Sequence, residues 1–425
     1  MSDVTAVPSP LDTAEPGIGA PPLWRRCAAA LVPPLVALVA AWTMIAIRSP
    51  YRGLRLFDPV SYGRWDTGHY LQIARDGYNA VWHCGGIHLQ PHLPPGNYLC
   101  GTIGWFPGYP FTMRALSEVT GLSLRTVGLI LAWLCWYLVL ILMWRLLADA
   151  SSIWTRWMCL LIAAFFPGQI YFAAIFPISM CIAGILACLY FALRTSRPAL
   201  AWAGFAAAFV AAFSYLTAIV LVPALLITAI LVLRGQRRRQ AIIPAIGAAA
   251  GFGAVLLTME VAVGIWDAYF ISGRKARVGV HMPLETLIDK LRPLWTPQSG
   301  AEQVLNATAS QTLLTLCFVG LACLVTIVGV IRGSPTAENR PQTWTAAIES
   351  RISAFDLTFL LMSVGVWLVP YVAGGDASTF RSEAFVVVSV PLLRRLPAWL
   401  LVVPLGAAVY VAWHMAVYFF NGQLM

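Results

Sequence analysis

The chain has 425 residues, of which 59% are hydrophobic and only 11% are charged, and its formal net charge is +10. A soluble protein carries roughly a quarter charged residues, so this composition excludes an ordinary soluble domain. The sequence also contains no Gly-rich phosphate loop, no His-Glu-x-x-His and no Gly-x-Ser-x-Gly, which argues against ATP-driven transport and the common membrane hydrolases.

Apolar runs dominate the chain after a tail that is rich in Pro, Ala, Ser and Thr. We expect residues 1–23 to be a disordered cytoplasmic tail and residues 24–425 to form a single integral membrane domain. The runs lack the period-2 alternation of a barrel and match the roughly 17–25 residues of a membrane-spanning helix. The predicted fold class is therefore an all-α polytopic membrane protein with about 11 transmembrane helices. The predicted spans are 27–47, 123–145, 153–171, 177–193, 199–214, 216–233, 241–264, 311–331, 354–373, 379–393 and 398–420.

Arginine placement predicts the orientation of these spans. If the N-terminus is cytoplasmic, every inside connection is basic, as the positive-inside rule requires. Two long loops, about 48–122 and 265–310, then become extracytoplasmic, and the protein is expected in the cell membrane as a multi-pass protein. Topology accounts for much of the positive charge, so no nucleic-acid partner is predicted. The inside arginines are Arg25, Arg26, Arg145, Arg156, Arg194, Arg197, Arg234, Arg237, Arg238, Arg239, Arg332, Arg340, Arg351, Arg394 and Arg395.

Two of the nine cysteines differ from the rest in their location. Seven lie in or beside predicted spans, where Cys behaves as a small apolar residue. Cys84 and Cys100 both lie in the first long loop, and an extracytoplasmic loop is a place where disulfides persist. The sequence leaves open whether these two are joined.

The first long loop also contains a polar and aromatic stretch, Arg64–Tyr78, directly after the first span. Its pattern predicts a short helix over 67–76, with Asp66 as the N-cap whose carboxylate accepts a backbone N–H and Gly77 as the C-terminal cap. A carboxylate held rigidly in this way could also act as a general base. Trp65, Tyr70 and Tyr78 could equally be interfacial anchors.

A second carboxylate in this loop is a further candidate base. Asp58 lies eight residues before Asp66, although it could simply start a turn before Pro59. His69 and Tyr70 are expected one turn after Asp66 on the same helix face. These groups therefore predict a polar site at the membrane boundary.

These residues carry a resemblance to a known family. Trp65-Asp66-x-x-His69-Tyr70 followed by Ile73-Ala74-x-x-Gly77-Tyr78 resembles the signature of the PIG-V-like mannosyltransferases, which belong to the GT-C class of membrane glycosyltransferases. Three later elements are similar to the family's motifs. At two other positions this chain departs from the family's pattern, because it lacks the acidic residue of the second outer turn and the Arg before a later span. The similar elements are Trp105–Pro110, Phe165–Pro167 and Ser378-x-x-Arg381, and the departing segments are Phe176–Ser179 and Tyr215–Thr217.

The resemblance implies a GT-C-like fold and an activity. It implies inverting, extracytoplasmic transfer of a hexose, mannose first, from a polyprenyl-phosphate sugar to a lipid-linked glycan or glycolipid, with membrane lipids as surroundings. Asp66, or else Asp58, would be the general base. No cofactor or metal is predicted, because the lipid-phosphate sugar is itself a substrate. The expected substrate-binding residues, several of them cations for the leaving phosphate, are Trp65, His69, Tyr70, Arg274, Lys275, Arg277, His281 and Arg381.

Other interpretations of the same residues stay open. The Arg274–Arg277 cluster could bind anionic lipid headgroups, and Arg381 could snorkel at a span end or pair with Asp376 or Glu383. The chain could also be a non-catalytic lipid or solute translocator. Such proteins usually place ionisable residues near the bilayer midplane in repeated halves, whereas these charges cluster at one face. The same fold could also use another polyprenyl-phosphate sugar, such as arabinose or glucose.

Overall fold

The computed structural model describes residues 22–85, 97–195, 197–274, 280–296, 302–332, 352–374 and 379–424. Of the predicted tail, residues 1–21 lie outside this range, and the first helix already begins at Leu23. The α-helices are α1 Leu23–Arg48, α2 Thr67–Asp76, α3 Gly108–Thr120, α4 Leu124–Leu146, α5 Ile153–Ala164, α6 Ile170–Ala173, α7 Ile178–Leu193, α8 Leu200–Ser214, α9 Leu221–Leu231, α10 Gly235–Val263, α11 Ala268–Arg274, α12 Pro283–Leu291, α13 Gln303–Arg332, α14 Ala354–Ala373, α15 Thr379–Glu383 and α16 Val402–Phe420.

Shorter elements connect these helices. Two antiparallel strands, β1 Val81–Gly85 and β2 Asn97–Gly101, form a hairpin in the first loop. The 3₁₀ helices are Gly53–Phe57, Pro59–Tyr62, Thr102–Gly104, Leu216–Val220, Arg292–Leu294, Ala384–Arg395 and Ala398–Leu401.

The helices confirm a polytopic all-α membrane protein. Within the described residues, six helices are long and apolar enough to cross a membrane, and four shorter apolar helices accompany them. The six are α1, α4, α10, α13, α14 and the helix Ala398–Phe420 that includes α16. Each of the eleven predicted spans contains helical structure, but the count of eleven crossings stays a prediction.

The predicted span at 379–393 has an unexpected geometry. It consists of α15 followed by the 3₁₀ helix Ala384–Arg395, and together we call these the central segment, Thr379–Arg395. A 3₁₀ helix rises about 2.0 Å per residue against 1.5 Å in an α-helix, so the central segment is about 31 Å long rather than about 25 Å. That length matches the roughly 30 Å hydrocarbon core. Every residue from Ala384 to Arg394 is buried, so this segment lies at the core of the bundle.

Small residues allow other helices to pack closely. Gly247 and Gly251 lie four residues apart on α10, one turn from each other. A Cβ at either position would collide with the backbone of α8, at Phe205 and Phe209 respectively. This is the small-xxx-small packing that brings membrane helices into contact without an aqueous hydrophobic effect.

A cluster of ion pairs holds the end of the central segment that carries Arg394. The Arg394 guanidinium contacts Asp356 on α14 at 2.8 Å and Asp149, after α4, at 3.2 Å. Arg395 adds a second contact to Asp356, and Arg194 donates to Asp149. Asp356 and Arg394 are both only 3% exposed. The cluster therefore joins α4, α7, α14 and the central segment through charges that are costly to separate.

The hairpin in the first loop answers the question that the sequence left open. Cys84 and Cys100 form a disulfide across β1 and β2, with their Cα atoms 6.0 Å apart and a sequence separation of 16. The two cysteines lie on paired strands, and their bond closes the loop between them. It agrees with an oxidising location for this loop.

We expect the double variant Cys84→Ser, Cys100→Ser to fold with a loosened hairpin. For a closed loop of this length the entropic stabilisation is about 3 kcal/mol. Faster limited proteolysis of the first loop in the variant measures this loss. In the wild type, thiol alkylation under denaturing conditions should leave both cysteines unmodified until reductant is added, and their alkylation without reductant would contradict the pairing.

Candidate functional site

The site is built around the start of α2, where the Thr67 side chain fastens the turn that precedes the helix. The Thr67 hydroxyl accepts from the Arg64 backbone N–H at 3.2 Å and donates to the Ile175 carbonyl at 3.2 Å. The carboxylate of Asp66 caps no backbone N–H among the described residues, so the predicted cap is wrong at the side chain. Gly77 does end the helix, with φ of 71° and its N–H bonded to Ile73. The Asp66 carboxylate is thereby left for another partner.

Trp65 places Asp66 through a strained backbone. Its φ of 39° lies in the left-handed region, which costs a residue with a bulky side chain about 1–3 kcal/mol. The indole ring packs edge-on against Phe419 of α16, at 5.8 Å between centroids. The packed ring holds the turn in this conformation, and the turn aims Asp66 at the central segment.

The partner of Asp66 is Arg381 in α15. Arg381 Nη1 donates to Asp66 Oδ2, across 315 residues of sequence. The Arg381 side chain is 7% exposed, whereas that of Asp66 is 26% exposed. Arg381 Nε is also buried and has no hydrogen-bond partner within the described chain. The pair is therefore open to solvent on its carboxylate side and retains an unused donor.

Aromatic rings surround the Arg381 guanidinium. Its carbon lies between 5.3 and 5.9 Å from four ring centroids. Arginine interacts favourably with such ring faces, and the rings exclude water and strengthen local electrostatics. We call these rings the aromatic cage; they belong to Trp65, Tyr171, Phe176 and Phe380.

His69 and Tyr70, both on α2, have different positions. The His69 ring stacks on Trp105, with centroids 3.6 Å apart and planes 14° apart. The Tyr70 ring is buried against Tyr109 and Phe176 instead. Burial raises the pKa of Tyr70 well above its usual value, and the negative charge of Asp66 adds to this. Tyr70 is thus a neutral core residue behind Asp66, while His69 and Trp105 are both only partly buried.

Asp58 adopts the turn role that the sequence offered as its alternative. It is exposed, and its Oδ1 accepts from the Val60 backbone N–H at 2.9 Å. It caps the 3₁₀ helix that begins at Pro59. Of the two candidate bases, Asp66 alone contacts a buried cation within the described residues.

Glu383 does not pair with Arg381, although it is two residues away. The carboxylate is fully buried and accepts from Tyr371, Thr312 and Gln311 at 2.6–3.0 Å. Gln311 also donates to the Phe380 carbonyl. This network ties α13 and α14 to α15 and so fixes the backbone that carries Arg381.

The basic residues of the second long loop are only partly described. Arg274 is exposed at the end of α11. His281 is exposed, and its backbone N–H bonds to the Val372 carbonyl at 2.8 Å, which places its ring beside Gly374. Lys275, Arg277 and Asp376 lie outside the described residues. The structure therefore brings together Trp65, Asp66 and Arg381 from the predicted set, with His69 on the same helix.

Sequence reasoning missed the cage residues Tyr171 and Phe176 and the Glu383 network. One signal was available in the sequence: the turn at 172–176 lies between two apolar runs, carries no charge and contains Phe172 and Phe176, so its side chains could be expected to pack rather than face water. The backbone N–H of Ile175 in that turn bonds to the Tyr62 carbonyl at 3.2 Å, which fastens the turn to the first loop. No spacing in the sequence relates Glu383 to Thr312 or Tyr371.

Comparisons with known proteins identify the fold. No protein-family model and no curated protein matches the chain. Among solved structures, the apo oligosaccharyltransferase of Archaeoglobus fulgidus is similar with a TM-score of 0.52 at 12% identity, covering 94% of this chain and 56% of that chain. The same enzyme tethered with an acceptor peptide gives 0.48 at 12% identity (94% and 56%), and its complex with an inhibitory peptide and a dolichol-phosphate gives 0.47 at 12% (91% and 56%).

The chain spans little more than half the length of that oligosaccharyltransferase. At such low identity the likeness concerns the fold, and the PIG-V resemblance rests on sequence motifs alone. The predicted fold class is confirmed: this is a polytopic all-α membrane protein with a GT-C-like fold.

Proposed function

We propose that this protein is a membrane glycosyltransferase. It transfers a hexose, mannose first, from a polyprenyl-phosphate sugar to a lipid-linked glycan or glycolipid, with inversion, on the extracytoplasmic face. The observation that carries the proposal is the pair of Asp66 with the buried Arg381 in an aromatic cage. The fold shared with an oligosaccharyltransferase supports lipid-linked glycan transfer at this general level.

Asp66 is the general base in this proposal. The acceptor hydroxyl oxygen forms a bond to C1 of the sugar while the bond from C1 to the phosphate oxygen breaks, and the hydroxyl proton passes to Asp66. Attack opposite the leaving group inverts C1, and the transition state resembles an oxocarbenium ion. The partial exposure of Asp66 supports this role, because a base has to be reachable by the acceptor.

Arg381 stabilises the leaving lipid phosphate. Negative charge builds on the phosphate as the C1–O bond breaks, and a preorganised guanidinium in a water-poor cage interacts with it strongly. A phosphate that binds the unused Nε–H of Arg381 also competes with Asp66 for the guanidinium. Donor binding then loosens the Asp66–Arg381 pair and frees the carboxylate to accept a proton. The pair thus holds the base in place until the donor arrives.

An apolar groove supports a lipid-linked donor. It lies between α9 and α14, has a volume of about 370 Å³, and is lined only by apolar residues. One end is near the site, since Val220 ends the 3₁₀ helix that follows Tyr215, and the Tyr215 ring stacks on Phe385 of the central segment. A polyprenyl tail matches an apolar lining of this kind. The lining residues are Val220, Pro223, Ala224, Ile227, Leu361, Gly365, Leu368, Val369, Val372 and Ala373.

The remaining predicted residues take supporting roles in the proposal. Arg274 supplies positive charge for the donor phosphate, and His281 supplies a further hydrogen-bonding group. Lys275 and Arg277 stay predicted phosphate-binding residues. His69 and Trp105 offer a stacked aromatic surface beside Asp66 for a sugar. Asp58 stays the second candidate base, and the mechanism requires no metal.

The direct test is sugar transfer by the purified protein in liposomes that contain a bacterial lipid extract. With radiolabelled polyprenyl-phosphate-mannose we expect labelled glycolipid, and with Arg381→Lys at least a tenfold loss, because lysine cannot reproduce the bidentate contact to phosphate. Arg114→Ala, which removes an exposed helix-surface pair with Glu118, is the matched control and should keep wild-type activity.

Different donors and a transport readout separate the alternatives. Transfer from polyprenyl-phosphate-arabinose or polyprenyl-phosphate-glucose, but not from the mannose donor, would contradict mannose as the sugar and support the same type of reaction with another donor. Movement of labelled lipid across the bilayer without any glycosylated product would contradict the enzyme and favour the translocator.

A further inference from the structure

A second cleft lies between α13 and α16, away from the apolar groove. Its volume is about 250 Å³, and its walls are the first turns of α13 and the second half of α16. The groove described above lies between a different pair of helices, α9 and α14. Two lipid-anchored molecules could therefore occupy the two openings at once. The cleft is lined by Gln303, Asn306, Ala307, Ser310, Tyr410, Val411, His414 and Tyr418.

The lining of this cleft is polar but carries no Asp, Glu, Lys or Arg. It combines two side-chain amides, a hydroxyl, two phenols and an imidazole. Anionic head groups are usually recognised by arginine or lysine side chains, which this lining lacks. Amides, hydroxyls and aromatic rings instead match a neutral ligand with several hydroxyl groups.

Two details of the cleft indicate a ligand rather than a filled interface. Asn306 Oδ1 is buried and has no hydrogen-bond partner in the described part of the chain. A buried acceptor without a donor is unfavourable, so a hydroxyl supplied from the cleft would satisfy it. The Tyr410 and His414 rings lie together, 4.6 Å between centroids, and Tyr410 is 63% exposed. That exposed ring offers a flat surface for the C–H face of a sugar.

Both walls of the cleft lead directly to the candidate site. On α13, Ser310 lines the cleft, and the next residue, Gln311, donates to Glu383 at 3.0 Å. On α16, Tyr418 lines the cleft, and the next residue, Phe419, packs on Trp65. The cleft therefore adjoins the residues that hold Trp65 and the backbone of Arg381 in place.

We propose that this cleft binds the neutral, polyhydroxylated head group of the acceptor glycolipid. The inference rests on the proposed function, because it assigns the second substrate of that reaction to a place. Asn306 and Gln303 bind hydroxyl groups, and Tyr410 and His414 form the stacking surface. The acceptor enters between α13 and α16, while the donor tail lies between α9 and α14.

The test measures binding separately from turnover. The probe is a glucosyl-diacylglycerol with a photoreactive diazirine on its sugar, in nanodiscs of phosphatidylcholine with the full-length protein. We expect crosslinks in peptides that contain residues 303–310 and 410–418, with competition by unlabelled glucosyl-diacylglycerol. The variants Asn306→Leu and His414→Leu should each lower crosslinking about tenfold, the effect of losing one good polar contact. Equal competition by phosphatidylglycerol, or labelling unchanged in both variants, would overturn the proposal.

A matched control comes from the same helix. Thr308→Val removes a hydroxyl that does not line the cleft and also destroys the Asn306-Ala307-Thr308 glycosylation sequence, as Asn306→Leu does. It should crosslink like the wild type, and loss of crosslinking in this variant would contradict the assignment to the cleft. Two variants on different helices guard against a folding defect in either one.

Turnover separates this inference from the proposed function. In the transfer assay, the cleft variants should raise the KM for the acceptor about tenfold and leave the KM for the polyprenyl-phosphate donor unchanged. Specific crosslinking without transfer from any donor would support the cleft and refute the enzyme. Transfer with an unchanged acceptor KM in both variants would support the enzyme and refute the cleft.

Discussion

Asp66→Asn should lower the rate of sugar transfer by about 10²–10⁴-fold, the usual contribution of a general base. The amide has the same shape but cannot accept the acceptor's proton. The initial rate in proteoliposomes at saturating donor measures this loss, which should appear in kcat. Asp58→Asn is the control for the second candidate base. Because Asp58 is an exposed cap and asparagine also caps well, this variant should keep its activity. Full activity of Asp66→Asn, with an inactive Asp58→Asn, would reverse the assignment.

A loss of activity in Asp66→Asn has to be separated from a loss of folding. The substitution leaves Arg381 buried beside a neutral partner, and a buried charge without its counter-ion is destabilising. Asp66 is a quarter exposed, however, so solvent reaches that side of the pair and reduces the cost. We therefore expect the purified variant to show a thermal transition only a few degrees below that of the wild type. A collapsed transition would mean that the pair serves stability rather than catalysis.

Asp356→Ala should destabilise the protein by about 3–5 kcal/mol without touching the candidate site. Asp356 is 3% exposed and binds Arg394 at 2.8 Å, so its removal leaves a buried guanidinium with one half-exposed partner, Asp149. Denaturant unfolding in detergent micelles measures the change. Molecules that remain folded should transfer sugar at the normal rate, because the cluster lies at the opposite end of the central segment.

Arg395→Ala is the matched control for this prediction. Arg395 contacts the same carboxylate of Asp356 at 2.6 Å, but its side chain is 48% exposed. Pairs with an exposed partner contribute about 0–1 kcal/mol, so this variant should lie close to the wild type. Equal destabilisation by the two substitutions would show that burial does not determine the strength of this cluster.

Asp149 connects the cluster to pH. Burial raises the pKa of its carboxyl, but the positive charges of Arg394 and Arg194 outweigh this and hold the pKa below the usual value. A carboxyl with a depressed pKa in the folded state stabilises the protein above its unfolded pKa of about 4, and this contribution is lost as the pH falls through the lower folded value. The cluster should therefore stay intact at neutral pH.

The sequence predicted the helices well because lipid imposes a simple requirement. Backbone groups in lipid have to bond to one another, so the apolar runs had to be helical. The segment at 379–393 was also identified as a span. Its 3₁₀ geometry, which lets so short a segment cross the hydrocarbon core, cannot be inferred from composition. The polar start of α2 was located correctly, as was its end at Gly77.

The site itself could be predicted only in part. Asp66 was identified from a local pattern, but its partner Arg381 lies 315 residues away and no periodicity connects them. The predicted side-chain cap is wrong because the strained backbone at Trp65 turns the Asp66 carboxylate toward Arg381. Helix periodicity predicted Tyr70 on the same face as Asp66, but its ring is buried against Tyr109.

The geometry of the central segment has a consequence for how this protein can evolve. With three residues per turn, inserting or deleting one residue within Ala384–Arg395 would rotate everything beyond it by about 120°. Arg381 lies before this stretch and Arg394 near its end, and each is held by a partner on a different helix. A change of length would break one contact even if it preserved the other. We therefore expect related sequences to vary freely in loop length while keeping the number of residues between these two arginines constant.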